Sequence, residues 1–455
     1  MTAAPSAPRV SPARRVRAAL RPRAPELLLT LLFVVLVAPV IASGGGGPAG
    51  AVDEARYHLP TILTLSEQLP RPDLVHIHTA TSPGFHLVLA VVARVVGHDR
   101  ALLEAFGALF SLAMVLVAFG LLARHVDRWL AFALTLPLLF SHYVLQSAAW
   151  LNTDNAAVLF VLLTVGVALR VERTGRGFVR GGAYLFCAVW VRQLALWAAG
   201  PFLFAAALAG RLLPGLRDPD RGPRSYRPLM LAGAAVVPAL ASLAALAATW
   251  GQLTPPATAQ QSGTSPAAFP FTLALVGMFG LAFAACAVTR DDLLRGRAVL
   301  VAAIGGAALA LAVPTSETTA LQRRTGGGLW KLVHETPIVA HRSPVIALLA
   351  AVGGVVLLAL WRAASRYGQR RPAAVLLVAM LSLAAAQAGT VRTYQRYFEP
   401  ALLVLLALLV TLGPLSRPSD RQGHEAARRR TIGLMAALAS IQLVGVVTVV
   451  YDAVL

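Results

Sequence analysis

A chain of 455 residues that is 57% hydrophobic and only 13% charged carries about half the charge of an average soluble protein. Apolar runs of about 16–22 residues recur along its whole length, which excludes a soluble globular domain. Without period-2 alternation they also exclude a β-barrel, so the chain is expected to be an all-α, polytopic membrane protein. The net charge of +20 does not point to nucleic acid, because the arginines lie in short segments between apolar runs, where they set orientation and touch anionic lipid.

Cys187 and Cys286 both fall inside apolar runs and read as small hydrophobes, with neither a disulfide framework nor a metal spacing. Lysine is scarce and alanine abundant, a bias that points to a high-GC bacterial genome and so to a bacterial plasma membrane.

Residues 1–26 read as a disordered basic tail. Arg9, Arg14, Arg15, Arg17, Arg21 and Arg23 place it on the cytoplasmic side of a first span at 27–43. Glycines 44–47 break that helix and open a first outer loop, 44–100. Residues 27–450 form the transmembrane domain, with a second long outer loop at 314–343.

Segment 85–96 decides the topology, because it is apolar but shorter than the roughly 20 residues a span needs. If it lies at the interface, the expected spans after the first are 101–123, 129–148, 156–170, 182–198, 199–213, 228–249, 270–289, 298–313, 344–361, 373–389, 398–413 and 431–450. The cytoplasmic loops then hold 23 arginines, against 7 basic residues in the outer segments after residue 97. A crossing at 85–96 would invert that bias, so the expectation is an interfacial helix and a bundle of about 13 spans.

On this map the outer side collects the polar candidates. Asp53 and Glu54 directly follow the first span, where a partly desolvated carboxylate suits a general base toward an acceptor hydroxyl. Asp154, in the stretch LNTDN at 151–155, lies at a helix start on the same side, as a cap, a cavity acid, or both. Arg192 and Gln193 interrupt an apolar run, and an intramembrane arginine there suits a phosphate or carboxylate partner. Arg392 and Arg396, with Tyr397, stand outside against the positive-inside trend, which an anionic headgroup explains and interfacial anchoring also explains. His58, His76, His78 and His86 match no zinc or iron pattern and read as hydrogen-bonding groups in a wet loop. The clustered outer acids permit a divalent metal without requiring one. No Walker A, GxGxxG or HExxH motif stands in a fitting context.

Four stretches in this order resemble the GT-C superfamily of glycosyltransferases, the polytopic enzymes that use polyprenyl-phosphate sugars. Within it the chain is most similar to the eukaryotic dolichyl-phosphate-glucose α-1,2-glucosyltransferase family. They are Asp53-Glu54 followed by His58-Leu59-Pro60; Thr79-Ala80-Thr81-Ser82-Pro83-Gly84-Phe85; Asn152-Thr153-Asp154; and Val189-Trp190-Val191-Arg192-Gln193 with Trp197. A late Arg396-Tyr397-Phe398 before Pro400 also matches. The family's Arg-Gln-Thr is Arg192-Gln193-Leu194 here, and the family's polar motif of the later long loop has no counterpart in 314–343.

The resemblance implies a GT-C bundle and an inverting transfer of a sugar from a polyprenyl-phosphate donor to a glycan or lipid-linked acceptor on the non-cytoplasmic face. It implies Asp53, Glu54 and Asp154 as catalytic acids, and His58, Arg192, Gln193, Arg392, Arg396 and Tyr397 as substrate-binding groups. The alternative, a transporter or flippase for a lipid-linked or anionic substrate, would carry repeat symmetry and paired broken helices. No internal repeat is evident.

Overall fold

The structure, a computed structural model, describes residues 23–45, 49–170, 175–216, 223–288, 296–315, 326–415 and 421–454. The expected tail up to residue 22, glycines 46 and 47, and residues 316–325 of the second long loop lie outside the described residues. Helix accounts for nearly all the secondary structure. Among the described residues there is no strand, only the isolated bridges Ser262–Thr390 and Val339–Arg342.

The chain opens with α1 (Ala24–Ser43), which ends on Gly44 in the left-handed conformation. The segment expected as the first outer loop follows as α2 (Ala49–Asp53), a π-helical turn Glu54–His58, α3 (Leu59–Gln68) and α4 (Gly84–Val96). The bundle then runs through α5 (Arg100–Leu122), α6 (Arg128–Leu139), α7 (His142–Ala149), α8 (Asp154–Ala168), α9 (Gly175–Val191), α10 (Ala199–Ala209) and α11 (Arg227–Trp250). It closes with α12 (Ala268–Ala287), α13 (Arg297–Ala312), the short α14 (Gly328–His334), α15 (Pro344–Arg366), α16 (Arg370–Gln387), α17 (Glu399–Thr411) and α18 (Arg421–Val454).

Six helices are long and apolar enough to cross a bilayer: α1, α5, α11, α12, α15 and the 425–447 part of α18. The pair α6 and α7 adds a seventh when counted as one span bent by 74°. Each remaining expected span falls on a shorter helix. The chain is an integral, multi-pass membrane protein.

Two expected continuous spans are broken. The span at 129–148 contains Pro137 and divides after Leu139, where Phe140 and extended Ser141 separate α6 from α7. The span at 182–198 stops at Val191. There Arg192 takes an extended conformation (φ −156°, ψ 123°), and a 3₁₀ stretch, Gln193–Ala198, leads into α10. Both breaks lie beside the polar end of the bundle.

Helix α17 forms the axis. All its residues from Glu399 to Thr411 are buried, as expected of a helix that is apolar on every side. Against it α12 and α15 pack on each other through small residues, and α13 lies on the far side of α15. A Cβ on Gly353 of α15 would lie 2.0 Å from the Leu273 carbonyl of α12, and one on Gly277 would lie 2.0 Å from the Leu349 carbonyl. These backbones touch because neither residue has a side chain.

Gly353→Leu is therefore expected to destabilise the fold by about 1–3 kcal/mol through overpacking. Gly305→Ala on α13 has open space around it and is expected to be neutral or mildly stabilising. Thermal unfolding of the two variants in detergent distinguishes them; equal midpoints would contradict the tight crossing.

Candidate active site

The first acid is positioned by an irregular helix. A regular α-helix would put residues 54 and 58 on one face. The wider π turn over Glu54–His58, closed by the Leu59 N–H donating to the Glu54 carbonyl, rotates His58 toward Asp53 and Tyr57. All three line one cavity. Glu54 points the other way and is fully buried.

Glu54 accepts from Arg100 Nε at 2.6 Å and from the Leu151 backbone N–H at 2.8 Å. Arg100 also donates to Glu104 at 3.0 Å. Glu54, expected as a catalytic acid, thus does not line the cavity that holds the other expected site residues. A carboxylate fully desolvated on the bundle side must be neutralised there, and Arg100 does so. Its effect on the site is positional, since its hydrogen bond to Leu151 ties the Asp53 helix to the segment that presents Asp154.

Asp154 opens α8, with its N–H held by Asn152 Oδ1 at 3.1 Å. Thr153, not Asp154, stands at the cap position, and it makes no side-chain cap bond. Asp154 forms an ion pair with Arg192. The break after Val191 allows this, because Arg192 leaves the helix and turns to the cavity instead of spending its length reaching an interface. Gln193 joins three segments: its side chain accepts from Ser82 N–H at 3.1 Å and donates to the Ala80 and Leu253 carbonyls at 3.1 and 3.2 Å. The first outer loop is pressed onto the same place, since a Cβ on Gly84 would meet the Trp190 carbonyl at 2.6 Å. Only glycine permits that approach.

The late loop supplies the remaining cations. Arg396 donates to Asp53 Oδ2 at 2.6 Å, and its Nε stands 3.9 Å from Asp154 Oδ2. It also donates to the Tyr397 hydroxyl at 3.1 Å. The Arg192 guanidinium lies 4.2 Å from the Tyr397 ring centre. Arg392 lies over Tyr394 at 5.7 Å, and among the described residues it has no carboxylate partner. Buried hydrogen bonds lock this loop: Gln395 donates to Glu399 at 2.7 Å, Ser141 donates to Glu399 at 2.6 Å, and Trp330 Nε1 donates to the Thr393 carbonyl at 2.6 Å.

These groups line a cavity of about 870 Å³. Eight of the nine expected site residues share it: Asp53, His58, Asp154, Arg192, Gln193, Arg392, Arg396 and Tyr397. Burial first, then Arg396 and Arg192, hold the His58 imidazole down at about 3. It is therefore neutral and stacks on His86, with Nδ1 and Nε2 2.9 Å apart. His76 lies apart, on the exposed Asp73. No group of three or more His, Cys, Asp or Glu side chains that could hold a metal occurs among the described residues; Asp53 and Asp154 face arginines instead.

Sequence reasoning missed Arg100, which pairs with both Glu54 and Glu104, and it missed Tyr57 in the cavity wall. A charged pair at i, i+4 inside an apolar run was the available signal for Arg100.

No family model and no curated protein matches the chain. Among solved structures it is similar to ArnT from Cupriavidus metallidurans, in the apo state and bound to undecaprenyl phosphate. Both have a TM-score of 0.38 and 14% identity over 86% of this chain, covering 78% and 77% of those chains.

Tyr397 gives the site a pH signature. Burial works to raise its phenol, but Arg396 and Arg192 outweigh burial and bring it down to about 8. With the folded value below the unfolded one, the stabilisation is fully present above the unfolded value near 10. It fades as pH falls through about 8 and is absent at neutral pH. Titration of the phenolate ultraviolet band should show one step near pH 8 that disappears in Tyr397→Phe. A wild-type protein with no step below the ordinary tyrosine range would refute this.

Proposed function

We propose that the chain is a membrane glycosyltransferase of the GT-C kind. It would move a sugar from a polyprenyl-phosphate donor to an acceptor hydroxyl on the non-cytoplasmic face, with inversion at the anomeric carbon. One observation carries the reading: two carboxylates and three arginines, from segments up to 343 residues apart, meet in one cavity at the polar end of an apolar bundle. Three cations against two acids leave a surplus positive charge, which suits an anionic substrate.

In this mechanism Arg392, which has no carboxylate partner among the described residues, receives the donor phosphate first. The phosphate then competes with Asp53 for Arg396. That exchange moves the guanidinium to the leaving group and frees Asp53 to act as a base. The acceptor oxygen attacks the anomeric carbon as its proton passes to Asp53. The bond from that carbon to the phosphate oxygen breaks, and its electron pair leaves with the polyprenyl phosphate. One base and one in-line leaving group produce inversion. A lipid phosphate beside arginines leaves without a strong general acid. Asp154 holds Arg192 against Tyr397 and so keeps the cationic wall in place. Neutral His58 can hydrogen-bond a sugar or acceptor hydroxyl without adding charge.

Reconstituted protein offered a panel of polyprenyl-phosphate sugars is expected to transfer at least one of them. Asp53→Asn should lower turnover by about 10²–10⁴-fold while donor binding persists. In Arg392→Gln the main effect should be on donor KM, a rise of about tenfold. Glu54→Gln should instead lower the thermal midpoint, because it leaves Arg100 partly uncompensated. Full transfer by Asp53→Asn, or no transfer from any donor, would sink the proposal.

A further inference from the structure

A second cavity lies at the opposite end of the bundle, away from Asp53. It holds about 950 Å³ and is bounded by α5, α8 and α9. Arg124, Arg170, Arg176 and Arg180 line its polar part. Arg124 follows the end of α5 and Arg100 begins it, so about 34 Å of helix separates this recess from the level of the acidic site. That span matches the bilayer core and sets the four arginines at headgroup depth on the other surface.

Three features make the recess unlike an ordinary solvated basic loop. First, its charge is uncompensated: among the described residues no carboxylate pairs with any of the four arginines. Segment 170–180 carries four arginines against the single acid Glu172, which lies outside the described residues. Arg124 and Arg170 also stand close enough to repel, for burial and then the neighbouring Arg170 hold Arg124 below its usual range. Second, Arg176 stands in the first turn of α9, where the helix dipole already supplies positive potential. An arginine there is unfavourable unless an anion sits beside it. Third, the wall changes character along its length. Leu116, Val117, Leu163 and Val167 continue it from the arginines toward the bilayer midplane. A free anion would leave that apolar length unused, whereas an acyl chain would cover it.

We infer that this recess binds a phosphate-bearing anionic lipid of the leaflet opposite the acidic site, its headgroup on Arg124, Arg170, Arg176 and Arg180 and its chain against α5 and α8. The site is separate from the donor cavity and uses none of its residues.

The test is native mass spectrometry of the full chain in neutral detergent. The protein is titrated with dioleoyl phosphatidylglycerol, with dioleoyl phosphatidylcholine and with inorganic phosphate. The anionic lipid should bind at least about tenfold more tightly than the zwitterionic one. The pairs Arg124→Gln with Arg170→Gln, and Arg176→Gln with Arg180→Gln, should each remove most of that preference. The corresponding Lys pairs should keep it. Equal binding of the two lipids, or a preference that survives both Gln pairs, would overturn the inference. Variant-sensitive binding of inorganic phosphate without lipid preference would also overturn it, by making the recess a free-anion site. Should a Gln pair fail to fold, wild-type protein decides the matter. Saturating phosphatidylglycerol should protect these four arginines from an arginine-specific dicarbonyl reagent, read by peptide mass. Equal modification with and without the lipid counts against the site.

Discussion

Arg396 is the point on which the acidic site depends. It reaches Asp53 at 2.6 Å and stands 3.9 Å from Asp154, so one guanidinium gathers two acids carried by helices about a hundred residues apart. An acid left alone in an apolar bundle would be costly, and each of these two has a cation beside it: Arg192 pairs with Asp154 and Arg396 with Asp53. The same low-dielectric surroundings make the surplus cation consequential. The site is a set of charges in balance only when an anion joins it.

A second buried cluster fixes the geometry of the first. Glu54 is adjacent to Asp53 in sequence but faces the bundle, where Arg100 and the Leu151 N–H satisfy it. Neighbours on a helix diverge by about 100°, so one acid faces the cavity and the other the scaffold, while the π turn brings His58 round to the side of Asp53.

The bundle divides its labour between close packing and deliberate breaks. Around α12 and α15 glycines let backbones touch, which leaves no room for rearrangement. Around the cavity, helices stop short, at Val191 and after Leu139. The freed backbone ends present Arg192 to the cavity and Ser141 to Glu399. Irregular backbone at membrane depth is tolerated where protein buries it or where it lines a cavity.

The sequence by itself determined the class of this protein and singled out most of the polar residues that line its cavity. Long apolar runs without alternation admit only a helical bundle in lipid, and arginine bias alone puts Asp53, Asp154 and Arg396 at one end. These properties are local or additive, so they are legible along a line. The tertiary structure decided which neighbour of the acidic pair enters the cavity, because that depends on which distant groups, Arg100 and Leu151 for Glu54 and Arg396 for Asp53, close around each face. It also decided that Arg192 leaves its helix, and that four arginines scattered over residues 124–180 surround one recess. Those outcomes depend on which helix ends meet, and contacts between distant helices are set by packing and charge pairing that no single window of sequence contains.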